Sequence, residues 1–147
     1  MTLPRLEAVR WDDLDFLGWR DLGGAGTAYM VAPHPAGDPA ADVVGIVLRL
    51  SKDAGRAGRK NMCALCLTTH STSDMALMVA PLAGAAGRKG NTVGTYLCAN
   101  LACSLYARGI KRPDRAQPTE TLATEQKVAR LVDNLDTFVR RVVTPRA

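Results

Sequence analysis

Aromatic side chains are scarce in this sequence of 147 residues: two Trp, three Tyr and two Phe, or 5%. A core must then rest on Leu, Val, Ala and Met, and a domain of this size with few large rings gains from a staple. No apolar run approaches the roughly 20 residues of a membrane span, so no membrane association is expected. The opening Met1-Thr2-Leu3-Pro4-Arg5 lacks the apolar stretch of a signal peptide. The expected location is the cytoplasm, where thiols stay reduced. Histidine is limited to His34 and His70. No Ser–His–Asp set, phosphate-cradling glycine loop or poised carboxylate pair stands out, so neither an enzyme nor a small-molecule substrate is expected. Asp12, Asp13 and Asp15 sit close together, but a solvated acidic turn accounts for them.

Apolar residues make up 47% and charged residues 22%, ordinary values that point to one globular domain over 1–147. The net charge of +5 is unevenly spread. Residues 1–48 carry 3 basic and 7 acidic side chains, residues 49–115 carry 11 and 3, and residues 116–147 carry 5 and 4. The middle segment also holds all four cysteines, and its charge suits an acidic protein face or nucleic-acid phosphates.

Along the chain, Trp11 to Trp19 reads as a helical turn or an irregular packed segment. Residues 28–32 and 42–50 are apolar and β-branched, and they predict an antiparallel hairpin within an N-terminal unit over 11–50. Residues 51–61 read as a basic loop or a loop with one helical turn. Strands are predicted at 75–81 and 92–97, on either side of a glycine-rich basic turn at 84–91. Asn100 is placed to cap a helix over 101–108 with Gly109 as its stop. Leu122, Val128, Leu131, Val132, Leu135, Phe138, Val139 and Val142 recur at helical spacing and predict a long amphipathic helix over 119–143. Thr121 or Thr124 would cap it, Glu125 favours its start and Arg140-Arg141 its end.

The cysteines are Cys63, Cys66, Cys98 and Cys103: C-x2-C, 31 intervening residues, then C-x4-C. A two-residue spacing lets two thiolates and a tight turn converge on one metal, and a second pair completes the tetrahedron. One structural zinc explains this pattern. A redox pair would need a βαβ context, paired disulfides would need export, and a catalytic zinc would need an open position. His70, four residues after Cys66, could replace a cysteine as ligand, but four thiolates already suffice; it reads as a surface residue near the knuckle, or else as a partner contact. The order of knuckle, hairpin and helix carrying the last ligand is that of a treble clef, expected over 58–112. The fold class is therefore α+β: antiparallel strands, a four-Cys treble-clef zinc finger and a long C-terminal amphipathic helix.

The blocks W-D-D-L-D-F-L-G-W-R (11–20), M-C-A-L-C-L-T-T-H (62–70), M-V-A-P (78–81), G-N-T-V-G-T-Y-L-C (90–98) and L-A-C-S-L-Y (101–106) together carry a resemblance. They resemble the C-terminal treble-clef zinc-finger domain of the elongation factor G-binding, fusidic-acid-resistance (FusB-type) family, and most of all its short actinobacterial-type members. The resemblance implies a non-enzymatic, zinc-binding protein of translation that binds elongation factor G. Resistance members promote release of that factor from ribosomes stalled by fusidic acid. By position, Cys63, Cys66, Cys98 and Cys103 match the zinc ligands, and Arg88, Lys89 and the face around the finger match the partner-binding region. The resistance proteins have an additional N-terminal helical bundle. Here the aromatic segment and strand pair take up the first 60 residues, so a general role in translation is expected over drug protection. The alternative is direct binding of ribosomal RNA or the ribosome through Arg56, Arg59, Lys60, Arg108, Lys111, Arg112 and Arg115, with steep salt dependence. Tyr96 and Tyr106 are candidates for affinity anchors or core packing.

Overall fold

Alternation of apolar and polar residues at period two builds a sheet, and α-helical spacing near the C-terminus covers it. A computed structural model describes residues 2–23, 26–35, 42–51 and 61–143. Among these, five strands run as an antiparallel meander in chain order: β1 Leu17–Arg20, β2 Thr27–Pro33, β3 Val43–Leu50, β4 Met75–Pro81 and β5 Thr92–Cys98. The predicted hairpin is present, with Thr27 opposite Arg49 and Pro33 opposite Val43. The second hairpin pairs Met75 with Cys98 and Pro81 with Thr92. The two hairpins join where Arg49 and Leu50 face Val79 and Met78.

Strand β1 was not expected. It pairs with β2 from Leu17 opposite Val31 to Arg20 opposite Ala28, and the Trp19 and Tyr29 rings lie 5.5 Å apart across the pair. Gly18 lets β1 also lie close against Leu101, just past β5: a Cβ there would stand 2.7 Å from Cβ of Leu101.

The buried face of the sheet carries Ala28, Met30 and Ala32 of β2, Ile46 and Leu48 of β3, Ala76, Met78 and Ala80 of β4, and Val93 and Leu97 of β5. With Leu131, Leu135, Phe138, Val139 and Val142 they form one core cluster. Those last five lie on α3, Thr124–Val143, and four alanines on the strands leave room for it. The helix starts later than the predicted 119. Thr124 is its first residue and not its cap. The N–H of Ala123 donates to Oε1 of Gln126 at 2.9 Å instead, which satisfies an otherwise unpaired donor at the helix start.

The turn at 84–91 contains one helical turn, α1 Gly84–Arg88. Gly87 has no room for a side chain, since a Cβ would lie 1.7 Å from the carbonyl oxygen of Leu82. The helix after the second cysteine pair is short, α2 Cys103–Ala107. Gly109 follows it in the left-handed region at φ 72°, as its predicted role as helix stop requires.

Candidate metal centre and basic surface

The knuckle is held by backbone bonds that its sequence cannot display. The N–H of Cys63 donates to the Thr68 carbonyl at 3.0 Å, and that of Leu67 to the Cys63 carbonyl at 2.9 Å. Leu67 takes a left-handed φ of 59° to close this turn, an uncommon conformation for a branched side chain. The turn is docked from two sides. Ala64 N–H donates to the carbonyl of Tyr96 on β5 at 2.9 Å, and Nδ2 of Asn134 on α3 donates to the Leu65 carbonyl at 2.9 Å. Cys98 ends β5 and Cys103 begins α2. Between them, Asn100 Oδ1 accepts the N–H of Ala102 at 3.0 Å, so the predicted cap acts one residue ahead of the helix.

All four thiols are buried, and their sulfurs lie within 4.8 Å of one another. Cys63 Sγ is 3.6 Å from Cys103 Sγ, and Cys66 Sγ is 3.5 Å from Cys98 Sγ. A disulfide needs about 2.05 Å. A zinc tetrahedron with bonds of about 2.3 Å has edges of about 3.8 Å, so the donor set fits zinc in number, chemistry and spacing.

The electrostatics ask for the same ion. Burial opposes ionisation of Cys63, yet contacts from Cys103, Cys66 and Cys98 outweigh it and pull its thiol well below the ordinary range. Cys66 is also lowered, chiefly through Cys103. Cys103 is driven well above its usual value by Cys63, Cys66 and Cys98, and then by burial. Cys98 rises too: Cys103 favours its thiolate, but Cys63 and Cys66 together with burial outweigh that. Four packed sulfurs cannot all ionise against one another without a cation, and zinc supplies the charge that makes four thiolates compatible.

His70 does not reach the surface expected of a partner contact. It is 1% exposed, with Nε2 3.2 Å from Cys98 Sγ and its ring edge-on to Tyr106 at 4.7 Å. Burial between the knuckle and α2 leaves no face for a partner, so that expectation is corrected. The cysteines already provide four ligands, and His70 stands behind one of them.

Arg108 is likewise withdrawn from phosphate contact. Its guanidinium grips Asp15 at 2.8 and 3.0 Å, and the two side chains are only 18% and 10% exposed. Asp15 also donates its backbone N–H to Ser104 Oγ at 3.0 Å. The acidic segment read as a solvated turn is thus partly a clamp on α2.

The remaining predicted contacts stay at the surface but do not form one patch. Arg88 and Lys89 are exposed at the α1 end of the β4–β5 hairpin, whereas Lys111 and Arg112 are exposed just past α2, at the metal end. The seven residues of β5 set these ends about 20 Å apart. Arg56, Arg59 and Lys60 lie outside the described residues. Tyr96 and Tyr106 are partly buried against the core.

Among the described residues, no helix is long and apolar enough to cross a membrane. The model of the FBP C-terminal treble-clef zinc-finger family matches residues 1–142. No curated protein matches the chain. The chain belongs to this family, the one its cysteine blocks resemble. Family and geometry together support one structural zinc ion among the four buried thiols.

Proposed function

We propose that this family member is a non-enzymatic adaptor of translation that docks on elongation factor G in the cytoplasm, and that it acts as a single zinc-finger domain over 1–147. Cys63, Cys66, Cys98 and Cys103 ligate its zinc, which holds the knuckle, β5 and α2 in fixed relation. The observation that carries the reading is the exposed Arg88–Lys89 pair at the tip of a hairpin whose other end is the buried metal centre. Exposed cations on a rigid support suit an acidic face of the factor, where they raise the association rate and orient the encounter. Release of the factor from the ribosome would follow if docking competes with its ribosome-bound state.

A second reading rests on Lys111 and Arg112, exposed beside the zinc end. With Arg59 and Lys60 they would contact phosphates of ribosomal RNA, and the affinity would fall steeply with salt. Purified, zinc-quantified protein mixed with its own elongation factor G, freed of RNA and assayed across salt, separates the two. Complex formation that persists at moderate salt supports the adaptor. Absence of that complex, with salt-sensitive capture of ribosomes, supports the RNA reading.

A further inference from the structure

Behind the zinc thiolates lies a second group of ligand-type atoms. One atom each of His70, Asp74 and Asp114 falls within 4.8 Å of the others. Asp74 closes the short turn Thr72–Asp74 that leads into β4. Its backbone carbonyl accepts the N–H of Ala99 at 2.8 Å, which anchors its backbone, and its Oδ2 accepts the Ser71 hydroxyl at 3.1 Å. Asp114 comes from the segment after α2 and is exposed, as is the Asp74 side chain.

His70 gives this cluster its meaning. Its Nε2 lies 3.2 Å from Cys98 Sγ. Nδ1 is the ring's other polar atom. It is buried and has no hydrogen-bond partner among the described residues. Two neighbouring carboxylates add acceptors and no donor. An unpartnered buried polar atom is costly, and a cation answers all three groups at once.

We propose that Nδ1 of His70 and the carboxylates of Asp74 and Asp114 bind a second divalent transition ion, with water completing its shell. One imidazole and two carboxylates suit zinc or manganese. Ligand bonds of about 2.0–2.2 Å require only a modest inward movement of two exposed side chains. The proposal does not depend on which macromolecule the protein binds.

The test uses the full chain carrying one zinc, verified by elemental analysis, and titrates it with Zn2+ in a calorimeter and with Mn2+ by electron paramagnetic resonance. The wild type takes up a second equivalent. Asp74→Asn and Asp114→Asn each weaken that step at least tenfold while the first zinc and the circular dichroism spectrum are unchanged. Absence of a second equivalent overturns the proposal, as does a second equivalent that neither variant affects. So does nitrogen NMR showing both ring nitrogens of His70 protonated at neutral pH with the second metal present, since a proton then fills the place assigned to the ion.

Discussion

The two ends of the β4–β5 hairpin are held by opposite means. At the Cys98 end, sulfur and backbone groups are enclosed: the knuckle bonds to β5 through Ala64 and Tyr96, and α3 bonds to the knuckle through Asn134. The thiols and His70 are closed off there, while Lys111 and Arg112 stand exposed beside them. At the Arg88–Lys89 end, backbone bonds hold the turn around α1. Leu82 N–H reaches the Asn91 carbonyl at 3.0 Å, Ala83 N–H reaches the Val142 carbonyl at 2.8 Å, and two cations face solvent. The closed end supplies order and the open end supplies charge. A rigid strand pair between them lets the tip be presented without being packed.

The largest effect should come from breaking the closed end. Cys98→Ser removes one of four ligands. Zinc contributes roughly 10–16 kcal/mol in small zinc fingers, comparable to or larger than the whole stability of a typical domain, about 5–15 kcal/mol. The variant should lose its metal and unfold, as should the wild type under a strong chelator. Elemental analysis and circular dichroism read both results. A folded, metal-free Cys98→Ser variant would sink the structural role of zinc.

Phe138→Ala comes next, because it strikes the core beneath both ends. Phe138 is 4% exposed, and truncation of a buried ring costs about 3–5 kcal/mol. The midpoint of urea unfolding should fall while the stoichiometry of zinc in the folded protein stays at one. Loss of zinc before unfolding would mean that α3 governs the knuckle more directly than the single Asn134 bond suggests.

The closed end was legible in the sequence because its constraint is local and chemical. C-x2-C sets two thiolates on one tight turn when a second pair is there to share the metal, and the second pair falls where a strand pattern gives way to a helix. The period-two and helical patterns likewise gave the two hairpins and α3. What stayed hidden depends on residues far apart in the chain. Strand β1 is masked by Gly18, whose partner Leu101 belongs to the metal end. Asp15 reads as a surface acid until Arg108, 93 residues away, is placed against it. His70 sits in the polar run Thr68-Thr69-His70-Ser71-Thr72-Ser73, which reads as surface, yet the fold buries it against Cys98 and Tyr106. Nothing in local composition announces any of these.

Charge reversal tests the open end. Arg88→Glu with Lys89→Glu should weaken the complex with elongation factor G about tenfold, or ~1.4 kcal/mol, mostly through slower association that shrinks at high salt. Zinc content and unfolding midpoint should not move, since neither side chain is buried. Unchanged affinity at low salt would remove the tip from the binding surface. A loss of zinc would show that the two ends are not separable.

The smallest effect concerns the segment that ties the metal end to α3. Gln117 bonds both ways with the backbone of Thr69, at 2.7 and 2.6 Å, and Glu120 meets Arg130 at 2.6 and 3.3 Å. The Arg130 contact holds the Glu120 carboxyl below its ordinary value. A carboxylate lowered in the folded state stabilises that state above its unfolded value and loses the contribution as pH falls through the folded one. With Glu120 a third exposed (33%), solvent limits the pair to about 1 kcal/mol or less. Glu120→Gln should therefore cost a few tenths to about 1 kcal/mol at pH 7 and nothing once acid has protonated the wild-type carboxyl, provided both proteins still hold zinc. Urea unfolding at several pH values, with the metal counted at each, checks the convergence. A difference that persists into acid would mean that Glu120 acts through packing and not through its charge.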